Sequence, residues 1–198
     1  SLDDKDWKSN VMTNWASGKA PLGYWTSDTG NSRGYNTIID YGGNSGNKRR
    51  TYYFSKEFTL DYIPSANDIY TMTFKVDDGM IVYINGKEAT RYLMPSGNVG
   101  YNTFATTHAP GNPDEGELNL PYQLFKQGKN VIAVEVHNNS TSSSDIFFDA
   151  GIRVNQTLTE ESIVSTSETL SLPTDGSMSL QACYVPVNKE EQGSMHVV

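Results

Sequence analysis

The dipeptide Asn85-Gly86, set between the β-forming runs 80–84 and 87–92, constrains this chain more than any other feature. Asn and Gly both accept the positive φ that a type I′ turn demands, and that turn matches the twist of the strands it joins. A hairpin is therefore predicted over residues 80–92. Ahead of it, Asp77-Asp78-Gly79 is predicted to end one strand and open a tight turn. Upstream, Tyr70, Met72, Phe74 and Val76 alternate with Thr71, Thr73 and Lys75, the period of two expected of a sheet with one buried face.

Further strands are predicted over residues 50–58, 69–76, 130–137 and 146–154, with turn formers between them. That spacing argues for an all-β antiparallel sandwich. Helix is confined to about one turn near residues 122–126. Residues 27–46 and 95–121 are predicted loops, the second carrying the acidic segment Asp114-Glu115-Gly116-Glu117. After Val154 the chain turns polar and Thr-rich, and two short strands, 169–172 and 178–185, flank Pro173-Thr174-Asp175-Gly176. The division is thus a sandwich over 1–154, followed over 155–198 by a linker and an extra β segment. That segment is either a hairpin extension or the front of a truncated second β domain.

Composition narrows the function classes. The formal charge is −8 over 198 residues, and the only basic cluster is Lys48-Arg49-Arg50. Nucleic acid and anionic lipid both need clustered cations, so neither is an expected partner. No apolar run approaches the roughly 18–20 residues of a membrane-spanning helix. The single cysteine, Cys183, excludes an intrachain disulfide or a thiolate metal cluster, and its apolar neighbours predict a buried, inert thiol.

Catalytic signatures are missing. The chain has no Gly-x-Ser-x-Gly elbow, no phosphate-binding Gly-x-x-x-x-Gly-Lys loop and no HExxH. Its three histidines are scattered. His137 ends a run in which Val131, Ala133, Glu135 and His137 share one face and Ile132, Val134 and Val136 the other. Both faces read as covered, with His137 held by Asp145 or Asp149 on the next strand.

Several motifs occur in order. Residues 15–24 read Trp-Ala-Ser-Gly-Lys-Ala-Pro-Leu-Gly-Tyr, and 51–58 read Thr-Tyr-Tyr-Phe-Ser-Lys-Glu-Phe. Asp77-Asp78-Gly79 leads to Asn85-Gly86, then Arg91 and Met94-Pro95-Ser96-Gly97. Ala133-Val134-Glu135-Val136-His137 and Ser143-Ser144-Asp145 close the series. Together these resemble a galactose-binding-like jelly-roll family of bacterial secreted proteins, over about residues 7–154. The resemblance implies two antiparallel sheets packed face to face. It also implies export, to the periplasm, the medium or the cell surface, as an accessory module of a longer parent chain with neighbouring domains. Relatives commonly carry Arg-x-Asn before Met-Pro, where this chain has Arg91-Tyr92-Leu93.

Two readings of function follow. In the first the chain is a non-catalytic carbohydrate-binding module, with Asp78, Asn85, Arg91, Tyr92, Tyr101 and Trp25 as ligand-binding candidates at the loop end. Flat aromatic rings suit the C–H faces of sugars, and Tyr35 and Tyr41 are further loop aromatics. Asp77 and Asp78 offer oxygens to a structural calcium. The alternative is an Asx-type bond from one Asp to the turn backbone, with the other Asp solvated. In the second reading the domain positions a neighbouring catalytic or surface domain and binds no sugar. It then holds Asp77, Asp78 and His137 buried with internal partners only. No cofactor is required in either reading.

Overall fold

The alternation in β5 (Asp68–Asp77) does what its period predicts, burying Tyr70, Met72, Phe74 and Val76 while Lys75 stays exposed. The computed structural model describes residues 6–27, 31–109, 113–156 and 195–197. Its other long strands are β4 (Thr51–Leu60), β9 (Gly128–His137) and β10 (Asp145–Gln156). Shorter ones are β1 (Ala16–Gly18), β2 (Leu22–Trp25), β3 (Thr37–Ile38), β6 (Gly79–Ile84), β7 (Lys87–Tyr92), β8 (Asp114–Leu120) and β11 (Met195–Val197). Two short 3-10 turns, Asp6–Lys8 and Tyr122–Leu124, complete the described elements. No helix among the described residues is long and apolar enough to cross a membrane.

The strands form two sheets, ordered β1-β11-β4-β9-β6-β7 and β3-β2-β10-β5-β8. Every pairing is antiparallel except β2 with β3. The sheets pack face to face as a β-sandwich. Phe54 of β4 stacks on Phe148 of β10 across the gap, with ring centroids 4.8 Å apart. β9 is covered on both faces, as its sequence predicts. Ile132, Val134 and Val136 enter this main core. On the outer side Ala133 joins Trp7, Tyr53, Ile81 and Tyr83 in a second cluster, capped by the Asp6–Lys8 turn.

The hairpin forms as expected. Asn85 and Gly86 take φ of 50° and 86°, and β6 pairs with β7 across them. The segment before it differs. Asp77 ends β5 in one sheet and Gly79 opens β6 in the other, so Asp77-Asp78-Gly79 is a corner where the chain crosses between sheets. Gly79 is needed for close approach: a Cβ there would sit 2.7 Å from Met94 Sδ, 2.9 Å from the Ala105 Cβ and 3.0 Å from the Leu93 carbonyl oxygen.

Two predicted loops hold strands. Within 27–46, Thr37–Ile38 is β3, beside a β2 that the sequence pattern did not mark. Within 95–121 the acidic run is β8, an edge strand along β5. Charged side chains discourage pairing with another chain at a sheet edge. Here they also pair inward along the sheet, Glu115 with Lys75 at 2.8 Å and Glu117 with Arg153 at 2.6 Å. At the C-terminal side, β10 runs two residues past Val154, to Gln156. β11 lies between β1 and β4 in the six-stranded sheet. The strands expected at 169–172 and 178–185, and Cys183, lie outside the described residues.

Candidate functional site

The crossover places carboxylates where turn chemistry alone would not. Asp77 and Asp78 are both fully buried, so neither is the solvated partner expected of a tight turn. The Asp78 carboxylate is well held. Its Oδ1 accepts from the Ala109 backbone N–H at 3.1 Å and lies 2.7 Å from His108 Nδ1, while Oδ2 accepts from the Asn139 N–H at 2.8 Å. Asp145, 2% exposed at the start of β10, forms an ion pair with Arg33 at 2.9 Å. Asp77 has no hydrogen-bond partner for either oxygen among the described residues. Its contacts are longer, 3.8 Å to His108 Nδ1 and 3.9 Å to Arg33 Nη1. Burial, then the neighbouring Asp78 and Asp145 carboxylates, push its pKa up to about 9.

His137 is also fully buried, but its partners are not the predicted Asp145 or Asp149. Its Nδ1 faces the Thr103 carbonyl at 2.8 Å and Thr51 Oγ1 at 3.0 Å, and the Thr51 hydroxyl donates onward to the Tyr101 carbonyl at 2.7 Å. The Thr103 carbonyl can only accept, which assigns the proton to Nδ1. Nε2 lies 3.4 Å from Glu135 Oε2, and Glu135 Oε1 accepts from the Tyr83 hydroxyl at 2.6 Å. Strand pleat explains the correction. His137 and Glu135 point to the outer face of the six-stranded sheet, beneath residues 98–104, whereas Asp145 and Asp149 belong to the other sheet.

The sequence candidates separate into two groups. Asn85 stands at the far end of β6 from the corner, about 20 Å away for a six-residue strand. Its amide is used internally, donating to the Leu124 carbonyl and Asn130 Oδ1, each at 2.8 Å, and accepting from the Val131 N–H at 3.0 Å. The expectation that Asn85 joins a loop-end site is corrected on both counts. The others lie at the corner end. Arg91 donates to both Glu88 oxygens and to the carbonyls of Pro95 and Gly97, tying down the loop after β7. The Tyr92 hydroxyl donates to Asp114, and its ring lies against Phe74 at 5.0 Å. Tyr101 is 41% exposed.

Trp25 lies among other aromatic side chains. With Tyr35, Tyr41, Asn31, Ile38 and Asp40 it lines a hollow of about 580 Å³ beside the corner. Asn31, Tyr35 and Asp40 are braced by hydrogen bonds. Asn31 holds Tyr35 by two 2.8 Å bonds, and the Tyr35 hydroxyl donates to the Tyr24 carbonyl at 3.1 Å. Burial raises the Tyr35 pKa, so that hydroxyl remains a donor. Asp40 accepts from Arg49 at 2.9 Å and from the Gly42 N–H at 2.9 Å, which hold its carboxyl below the usual range. The Arg33 guanidinium lies 4.6 Å over the Trp25 ring, a cation–π distance, while its other contacts reach Asp145 and Asp77. Sequence reasoning missed Arg33 and gave His108 no role. Neither carries a local signal, because each acquires its partners only through the fold.

No family model matches the chain, and no curated protein matches it. Solved structures show partial likeness. An α-L-rhamnosidase from Streptomyces avermitilis complexed with L-rhamnose is 16% identical, with a TM-score of 0.41 over 60% of this chain and 10% of that one. An α-L-rhamnosidase from Dictyoglumus thermophilum is 14% identical, with a TM-score of 0.37 over 72% of this chain and 14% of that one. A β-glucuronidase from an uncultured Clostridium sp. is 11% identical, with a TM-score of 0.40 over 79% of this chain and 30% of that one. The chain thus spans less than a third of the length of each of these proteins. Likeness at this level assigns neither a family nor a function.

Proposed function

We propose that the chain is a non-catalytic, carbohydrate-binding accessory module of a longer secreted or cell-surface bacterial protein. The observation that carries this reading is the loop-end hollow walled by Trp25, Tyr35 and Tyr41, with Asp40 and Asn31 at its polar edge. Aromatic rings offer flat apolar area to the C–H face of a pyranose, and adjacent amide and carboxylate groups accept or donate to its hydroxyls. An acidic surface is no obstacle to a neutral sugar. Glycoside hydrolysis would need two carboxyl groups flanking the bond, roughly 5–10 Å apart. Among the described residues lining this hollow, Asp40 is the one carboxylate, and it is engaged with Arg49.

Affinity gels containing plant and host polysaccharides test the proposal. The wild-type domain should be retarded by at least one polymer, with retardation falling about tenfold in Trp25→Ala or Tyr41→Ala, as expected when one aromatic anchor worth ~1.4 kcal/mol is removed. No retardation across the panel, or undiminished retardation in Trp25→Ala, refutes it. A second reading draws on a different observation. Asp78 and His137 are fully buried with partners inside the domain, the arrangement expected of a structural module that positions a neighbouring domain. No retardation of the wild-type domain by any glycan, together with tight association of the domain with its parent's remaining domains, would favour that alternative.

A further inference from the structure

The corner between β5 and β6 gathers more negative charge than its neighbours balance. Asp77, Asp78 and Asp145 are each no more than 2% exposed, and the fixed cation beside them is Arg33. Asp78 has three polar contacts and Asp145 a close ion pair, but Asp77 has no hydrogen bond to either oxygen among the described residues. An ionised carboxylate is among the costliest groups to bury without a partner. Its Oδ1 lies 3.8 Å from Nδ1 of a half-exposed imidazole, that of His108, which also touches Asp78.

We propose that Asp77, Asp78 and Nδ1 of His108 bind one divalent transition-metal ion of the zinc class. A donor atom from each of the three lies within 4.8 Å of the other two. Zinc holds its ligands at about 2.0–2.1 Å, so tetrahedral donors sit roughly 3.3 Å apart. The two distances from His108 Nδ1, 2.7 Å to Asp78 and 3.8 Å to Asp77, bracket that value. Shifts of about half an ångström at an exposed loop side chain would equalise them. Outer support is already in place, because the Ala109 N–H bonds Oδ1 of Asp78 and the Asn139 N–H bonds its Oδ2, fixing the carboxylate. With His108 51% exposed, solvent has access to supply a further ligand. Charge balance points the same way. With Asp77 ionised, three carboxylates against one guanidinium leave two negative charges, which a divalent ion cancels.

The nitrogen donor distinguishes this site from a calcium site, since calcium takes 6–8 oxygens whereas imidazole suits zinc and its neighbours. It also extends beyond the Asp77-Asp78 pair that the sequence offered. Bound there, the ion would tie residues 93–109, through His108, to the crossover between the sheets. The competing occupant is a proton on Asp77, with His108 as a simple partner of Asp78.

Titration of chelator-stripped protein with zinc, manganese and calcium chlorides separates the two. Wild type is expected to take up one equivalent of zinc, with Tm rising roughly 5–10 °C at a hundredfold excess over Kd. His108→Gln, a change at a half-exposed loop residue, and Asp77→Asn should each abolish the shift. Cobalt should give the intense visible absorption of a four-coordinate site in wild type and not in His108→Gln. No response to zinc or manganese, an undiminished response in His108→Gln, or a response to calcium alone would overturn the proposal. None of these readouts involves sugar, so the outcome is independent of the hollow at Trp25.

Discussion

Replacing Asn85 by Ala should cost the fold about 3–4 kcal/mol and leave any ligand binding intact. The amide makes three bonds. Asn130 Oδ1 keeps a donor in the Lys126 N–H at 3.0 Å, so the groups stranded by the change are the Leu124 carbonyl and the Val131 N–H. Two half-buried backbone groups without partners cost about 1 kcal/mol each at the least. Ala must also adopt the left-handed conformation that Asn85 holds at φ 50°, a further 1–2 kcal/mol. For a chain of this size each kcal/mol moves Tm by about 2–4 °C, so thermal unfolding should shift down by roughly 10 °C. Asn85→Gly removes the same bonds without the backbone strain and should lose only about 2 kcal/mol. Urea melts of the three proteins check both the size and the order. If Ala and Gly cost the same, or if Ala costs under ~1 kcal/mol, the bracing argument fails. Lost glycan binding in a folded Asn85→Gly protein would restore Asn85 as a ligand residue.

Two further outcomes follow from the same geometry. Gly79→Ala puts a methyl group against the Leu93 carbonyl and Ala105, neither of which is a flexible side-chain end, so it should cost about 1–3 kcal/mol in urea melts. Glu88 is held below its usual pKa chiefly by its hydrogen bonds to Arg91. A depressed carboxyl stabilises above its unfolded pKa, and that stabilisation fades as pH falls through the folded value. Because both side chains are partly exposed and screened by water, Glu88→Gln should remove under ~1 kcal/mol at pH 7 and nothing at pH 2, read as a flatter acid limb in stability against pH.

Those parts of the fold governed by neighbouring residues were legible. The Asn85-Gly86 turn follows from two positive φ angles, and the pleat of β5 and β9 follows from alternation over short windows. β8 escaped notice because its acidic residues and Gly116 carry little strand propensity of their own. Its register comes from β5, and its charges are answered by Lys75 and by Arg153 of β10. The Asp77-Asp78-Gly79 segment misled in a different way. Two carboxylates before a Gly suit a tight turn and a crossover equally well, and only the sheet to which β6 pairs decides between them.

That distinction bears on where function should be sought. Several residues of the motifs that carry the resemblance are accounted for by folding demands: Asn85 braces the turn, Gly79 admits the loop behind it, and His137 locks the start of β4 to residues 101–103. A residue whose bonding capacity is spent inside the domain has little left to offer a ligand, so a strong motif here signals the fold more than the activity. Unspent capacity lies mostly outside the motifs. It is found in the exposed apolar rim of the hollow at Ile38, in the half-exposed ring of His108, and in the Asp77 carboxylate that the fold buries without a hydrogen bond. Arg33 connects these places, lying over Trp25 while pairing with Asp145 at the corner. Substitution of Arg33 should therefore disturb the hollow and the corner together, whereas substitution of Asn85 should disturb neither.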